Sequence, residues 1–207
     1  LPKKFTAVDW DRHPFKVNRL VLNAMQQRSE AAGIQFEFIS GDSLHVRLEP
    51  CDLLFIDSFH TYEHLFLELI RHHCRAQKFI LLHDTDVPTC PGMFHAVEDF
   101  LLDNSDLWDL EARHRESPGL TILRRKAPDD HRGYPRVVIR TLELAVARQK
   151  EMYYSQIDQT GSSNQQWHDW AWSELMRFSD RERWPLANKS SGATEMVASY
   201  QSRQTES

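Results

Sequence analysis

Four short apolar runs in the first 85 residues each finish at an acidic residue. They are FTAV before Asp9, IQFEFIS before Gly41-Asp42, DLLFI before Asp57, and KFILL before His83-Asp84-Thr85. Stretches with helical spacing lie between them. Val17, Leu20, Val21 and Ala24 form one stripe, with Pro14 placed for a first turn and Gly33 for a stop. Leu65, Phe66, Leu69 and Ile70 form another. A near-continuous run such as DLLFI suits a strand covered on both faces, as in a parallel sheet, and the intervening helices supply that cover. Beyond the DVPTCPG loop, MFHAVEDFLLD places Phe94, Val97, Phe100 and Leu101 on one side of a helix. LWDLEARH and GLTILRR, separated by RESP, read as an antiparallel hairpin. The expected fold is α/β: a three-layer sandwich over residues 1–126, with a mostly parallel sheet and an antiparallel edge.

The rest of the chain has a different texture. KAPDDHRGYP reads as a linker, and RVVIRTLELAVARQKEMYYSQI as a long helix with Val138, Leu142, Ala145 and Met152 along one face. DQTGSSNQQ breaks that helix before WHDWAWSELMRF, a short aromatic-rich one. Trp167, Trp170, Trp172 and Trp184 fit packing against an exposed face of the main domain, with stacking on sugars or bases as the alternative. A helical extension is therefore expected over 127–186, suited to homo-oligomer contacts, and a polar, disordered tail over 187–207.

Composition narrows the function. A formal net charge of -5 offers no general attraction to a polyanion, so no nucleic-acid partner is expected. Cys51, Cys74 and Cys90 are odd in number and widely spaced, unlike a disulfide framework or a paired zinc knuckle. They point to a reducing, cytoplasmic setting. No apolar stretch approaches a membrane span, and no signal peptide is visible. The chain opens LPKKFTAVDW, without Met and almost at once in a strand, like a processed or truncated start.

In open parallel sheets, ligands gather beyond the C-terminal ends of the strands. One acid there is often only a helix cap or a turn residue; four together are harder to explain so. Asp9 is placed to accept hydrogen bonds from a ribose diol. Asp42 and Ser43 suit an adenine edge, or simply an Asx turn. Asp57 and Asp84 close strands expected to lie side by side, where their carboxylates share one hard cation, magnesium or manganese. Thr85 or His83 would complete the shell. His60, just past Asp57, is a base, a metal ligand or a substrate contact, since an unperturbed imidazole titrates near neutrality; it is otherwise a helix-start residue without chemistry. His64, His72 and His73 read as ordinary helix-face residues.

His60-x-x-Glu63-His64 also matches the H-x-x-E-H spacing of some zinc peptidases. That chemistry needs both imidazoles on one helix while Glu63 holds a water. Here His60 follows the DLLFI strand closely, with Asp57-Ser58 as a turn, and Glu68 and Glu98 are the further ligands on offer.

DLLFIDSFHTYEHLFLEL, followed by KFILLHDT, resembles the motif of class I S-adenosylmethionine-dependent methyltransferases of the small-molecule O-methyltransferase kind. The branch it looks most like holds cephalosporin hydroxylase-like and rhamnosyl O-methyltransferase-like proteins. GMFHAVEDFLLDN and GLTILRR resemble the helix and last strand of that group. The resemblance implies a Rossmann-like sheet of seven strands whose last is antiparallel. It implies that Asp9 binds the cofactor ribose and that Asp42 lies near the adenine. Asp57 and Asp84 would hold a divalent cation, and His60 would stand beside the metal as base or substrate contact. His83 occupies a position where relatives often carry a second acid. The implied reaction is attack by a hydroxyl of a small molecule, a sugar or glycosylated metabolite, on the methyl group of S-adenosylmethionine, with the metal orienting the oxygen. One departure is large. The family's first strand and glycine-rich loop precede the ribose acid, whereas this chain has no glycine before Gly33 and starts at what would be the second strand. A fragment, or a catalytically inactive binding or structural protein on a methyltransferase-like sheet, is the alternative.

Overall fold

A computed structural model describes residues 2–9, 19–87, 90, 92–116, 118–127 and 134–160. The chain forms two compact units, Leu1–Pro50 and Cys51–Ser207.

The first unit is a strand–helix–strand piece: β1 (Lys4–Asp9), α1 (Arg19–Ala31) and β2 (Gln35–Ser40). The two strands pair in parallel, from Lys4 opposite Gln35 to Asp9 opposite Ser40. Phe5 stacks on Phe36 with ring centroids 5.8 Å apart. Gly33 stops α1 as expected. Its amide donates to Glu30 O (3.0 Å), and the Ile34 amide reaches back to Ser29 O (2.8 Å). This double closure needs a left-handed residue, and Gly33 supplies φ 69°.

The second unit contains β3 (Cys51–Ile56), α2 (Tyr62–His72), a single 3-10 turn (His73–Arg75), β4 (Ala76–His83), α3 (Gly92–Asp103), β5 (Trp108–His114), β6 (Leu120–Arg125) and α4 (Arg136–Thr160). The strand order is β3-β4-β6-β5. β3 and β4 are parallel, and β6 is antiparallel to both β4 and β5. Three of the four strands therefore run one way and β6 alone is reversed, which is the mostly parallel sheet with an antiparallel last strand. The hairpin is not simply added at the edge: its second strand inserts next to β4 and β5 takes the outside. The side chains account for this. Leu120, Thr121, Ile122 and Leu123 of β6 tolerate a central position, whereas β5 carries Asp109, Glu111 and Arg113, suited to an edge.

The register puts Leu54 opposite Ile80 and Ile56 opposite Leu82, then Ile80 opposite Leu123 and Leu82 opposite Thr121. These residues share one face, and most are fully buried there. α2 differs from the expected one-sided stripe. Every residue from Tyr62 to Leu69 is buried, including Glu63, His64 and Glu68. The reason is α4, which packs against α2 from within the same unit, so the polar side of α2 also lies inside and its charged groups pair there. His64, His72 and His73, read as ordinary face residues, are also buried, His73 against Phe100 of α3 and Trp108 of β5. On α4 the buried set is Leu142, Val146, Gln149, Lys150 and Tyr153; of the expected stripe only Leu142 belongs to it. No described helix is long and apolar enough to cross a membrane. The Trp-rich stretch and the tail over 187–207 lie outside the described residues.

Candidate functional site

Ile56 opposite Leu82 is the last β3–β4 pair. Side chains alternate along a strand, so the next residue on each side, Asp57 and His83, emerges on the other face. His83 Nδ1 lies 3.6 Å from Asp57 Oδ1 and 3.1 Å from Asp84 Oδ1, near enough for charge attraction though not aligned as a hydrogen bond. The chain then turns sharply. Asp84 adopts φ 58°, the only positive φ outside glycine among the described residues. Non-glycine residues held this way cost about 1–3 kcal/mol and gather where function over-determines the backbone. The turn aims the carboxylate at His60, whose Nε2 is 2.9 Å from Asp84 Oδ2 and 3.3 Å from Asp57 Oδ1.

Other contacts hold Asp84 in this pose. Its amide donates to Gly119 O (3.1 Å), and the Asp86 amide donates to Pro118 O (3.3 Å). Arg113 grips Asp86 through two bonds, Nε to Oδ2 at 3.0 Å and Nη2 to Oδ1 at 2.6 Å, with its guanidinium 3.2 Å from the Phe94 ring centre. The β5–β6 hairpin thus clamps the turn after β4.

One ligand atom from each of Asp57, His60 and Asp84 lies within 4.8 Å of the others. Two neighbouring ligands of an octahedral cation at ~2.1 Å are ~3 Å apart, and two opposite ones ~4.2 Å. The two His60 separations, 2.9 Å and 3.3 Å, are close to the neighbouring-ligand spacing, and two carboxylates with one imidazole suit magnesium or manganese better than a thiolate-seeking metal. The hydrogen bond from His60 holds the Asp57 carboxyl below the usual carboxylate range; the charge of His83 adds to the effect and partial burial opposes it.

His60 precedes the helix. Thr61 is the N-cap, with extended backbone, and its hydroxyl accepts the His64 amide at 3.3 Å. His64 faces inward, its Nε2 3.4 Å from Glu68 Oε1 and its ring edge-on to Phe59. The two imidazoles of H-x-x-E-H therefore serve different surroundings, and the zinc-peptidase arrangement does not form. Thr85, expected near the cation, is buried and shares a 2.9 Å hydrogen bond with Thr121.

The cofactor candidates belong to the first unit. Asp9 ends β1, where its carbonyl accepts the Gly41 amide at 2.9 Å. Asp42 makes the expected Asx-type turn: Oδ1 accepts the Leu44 amide at 3.0 Å, and Oδ2 is 3.5 Å from His45 Nδ1. Ser43 follows in that turn and is half-buried.

Sequence reasoning missed the supports beneath His60. Ser58 donates to Glu68, and the Thr61 hydroxyl donates to Gln149 Oε1 at 3.2 Å. The available signal was a glutamate inside an otherwise apolar α2 stripe, which needs a buried partner.

No family model matches the chain, and no curated protein matches it. Among solved structures, TrmK of M. capricolum in complex with S-adenosyl-homocysteine is similar at a TM-score of 0.36 and 11% identity, over 86% of this chain and 91% of that one. A likeness that distant does not bear on the site, which stands on its own geometry.

Proposed function

We propose that the chain transfers a methyl group from S-adenosylmethionine to a hydroxyl of a small molecule, a sugar or glycosylated metabolite, with the help of a divalent cation. The observation that carries this reading is the convergence of Asp57, His60 and Asp84 just past the C-terminal ends of two neighbouring parallel strands, the place where open α/β sheets bind ligands. The reversed last strand and the D-S-x-H and H-D-T motifs agree with the methyltransferase resemblance. In this reading Asp57 and Asp84 hold the cation, with His83 beside both. When bound, the cation polarises the substrate oxygen and favours its deprotonation. His60 offers a ring nitrogen to accept that proton. Asp9, Asp42 and Ser43 are the proposed cofactor contacts.

Calorimetry with S-adenosylmethionine, with and without magnesium, tests the proposal. Saturable binding that weakens in Asp9→Ala is expected, and absence of binding at millimolar cofactor overturns it. Cation binding without cofactor binding would instead favour the non-catalytic reading, a binding protein that retains the acidic rim. Stoichiometric zinc lost on changing both His60 and His64 would return the peptidase.

A further inference from the structure

The loop joining β3 to α2, residues 57–61, carries two members of the cluster, Asp57 and His60. It is held from below at two points. Ser58 donates to the carboxylate of Glu68, which is 2% exposed, and Thr61 donates to Gln149 on α4, which is 6% exposed. Between these anchors Phe59 meets Tyr153 of α4 edge-on, ring centroids 5.5 Å apart. Asp84 is fixed separately, through Gly119 and the Arg113–Asp86 pair. The cluster is thus assembled from two supports, and one of them is built jointly by α2 and the helical extension.

We infer that Glu68, Gln149 and Tyr153 are positioning residues for the cluster, so that α2 and α4 together set how well Asp57 and His60 meet Asp84 around a cation. This rests on the cation reading above. Groups that orient metal ligands from behind contribute strongly to affinity: their loss commonly weakens binding 10–100-fold or so. Each of the three touches the loop that carries Asp57 and His60, through Ser58, Thr61 or Phe59.

The test is a manganese titration of the full chain followed by electron paramagnetic resonance. Gln149→Ala and Ser58→Ala are expected to weaken manganese binding by about tenfold or more, while Ser58→Thr, which keeps the hydroxyl, restores it. Val146→Ala removes buried packing one turn earlier on α4 and leaves Gln149 and Tyr153 in place; it is expected to lower the Tm and leave manganese affinity unchanged. Wild-type affinity in both Gln149→Ala and Ser58→Ala overturns the inference, as does weakening in all three alanine variants in proportion to lost stability. Should the wild type bind no manganese, the cation reading fails by itself. The nitrogen NMR signals of the His60 ring then decide the positioning role. Shifts in Gln149→Ala and Ser58→Ala but not in Val146→Ala uphold it, and unchanged signals in all variants end it.

Discussion

The backbone amide of Asp84 donates to the carbonyl of Gly119 across 3.1 Å, and both residues sit at positive φ, 58° and 86°. Two left-handed turns face each other where β4 ends and β6 begins. For Gly119 the conformation is easy; for Asp84 it is strained. The strain is retained at the one place where a carboxylate completes the cluster.

Replacing Asp84 should separate strain from chemistry. Asp84→Gly and Asp84→Ala both remove the carboxylate, so both are expected to lose manganese binding. They differ in the backbone. Glycine relaxes at φ 58°, whereas alanine keeps the steric penalty, so the glycine variant should be more stable by about 1 kcal/mol. Urea unfolding of the two variants measures the difference. Equal midpoints would mean that the turn rearranges once the carboxylate is gone.

Gly119→Ala should damage stability and site together. A Cβ at Gly119 would lie 2.7 Å from both the Cβ and the amide nitrogen of Asp86, on a backbone at φ 86°. The neighbour is main chain and cannot swing aside. A loss of about 2–4 kcal/mol is expected from strain and overpacking. Because Gly119 also anchors Asp84, manganese affinity should fall as well. An Ala variant that unfolds like wild type would contradict the clamp.

The site was more legible in the sequence than its supports. Asp57 and Asp84 could be placed side by side because strand ends are visible as the end of an apolar run, and sequential strands tend to pair. His60 followed from its nearness to Asp57. The interior of α2 was not legible, because periodicity reports one apolar stripe and is silent about a second covering layer. α4, arriving from 88 residues downstream in sequence to meet Thr61 through Gln149, joins α3 in covering α2 and makes Glu63, His64 and Glu68 buried groups. Placing β6 between β4 and β5 likewise needed a comparison of two strands, since an isolated hairpin pattern leaves open which arm is central.

Tyr62→Phe probes the contact between α2 and α3. The Tyr62 hydroxyl donates to Asp99 Oδ2 at 2.9 Å, and both residues are 1% exposed. Removing a buried hydrogen bond of this kind costs about 1–3 kcal/mol. The variant should unfold at lower urea with manganese affinity intact. A loss of affinity would show that α2 and α3 couple to the site more tightly than their contacts indicate.

The Asp57 carboxyl gives the protein a pH signature of fixed sign. Its hydrogen bond with His60, and then the His83 charge, favour the ionised form in the folded state. A carboxylate with a lowered folded-state pKa adds stability above its unfolded value, and that stability is lost as pH falls through the lowered value. Asp57→Asn should therefore differ from wild type most at neutral pH. The gap should begin to close near the ordinary carboxylate range and vanish at more acidic pH. Since the side chain is 43% exposed, solvent screening keeps the contribution small, under about 1 kcal/mol. His60→Gln removes the largest cause and should flatten the same window. Thermal unfolding of the three proteins across a pH series reads this directly, and a gap that widens toward acid would reverse the assignment.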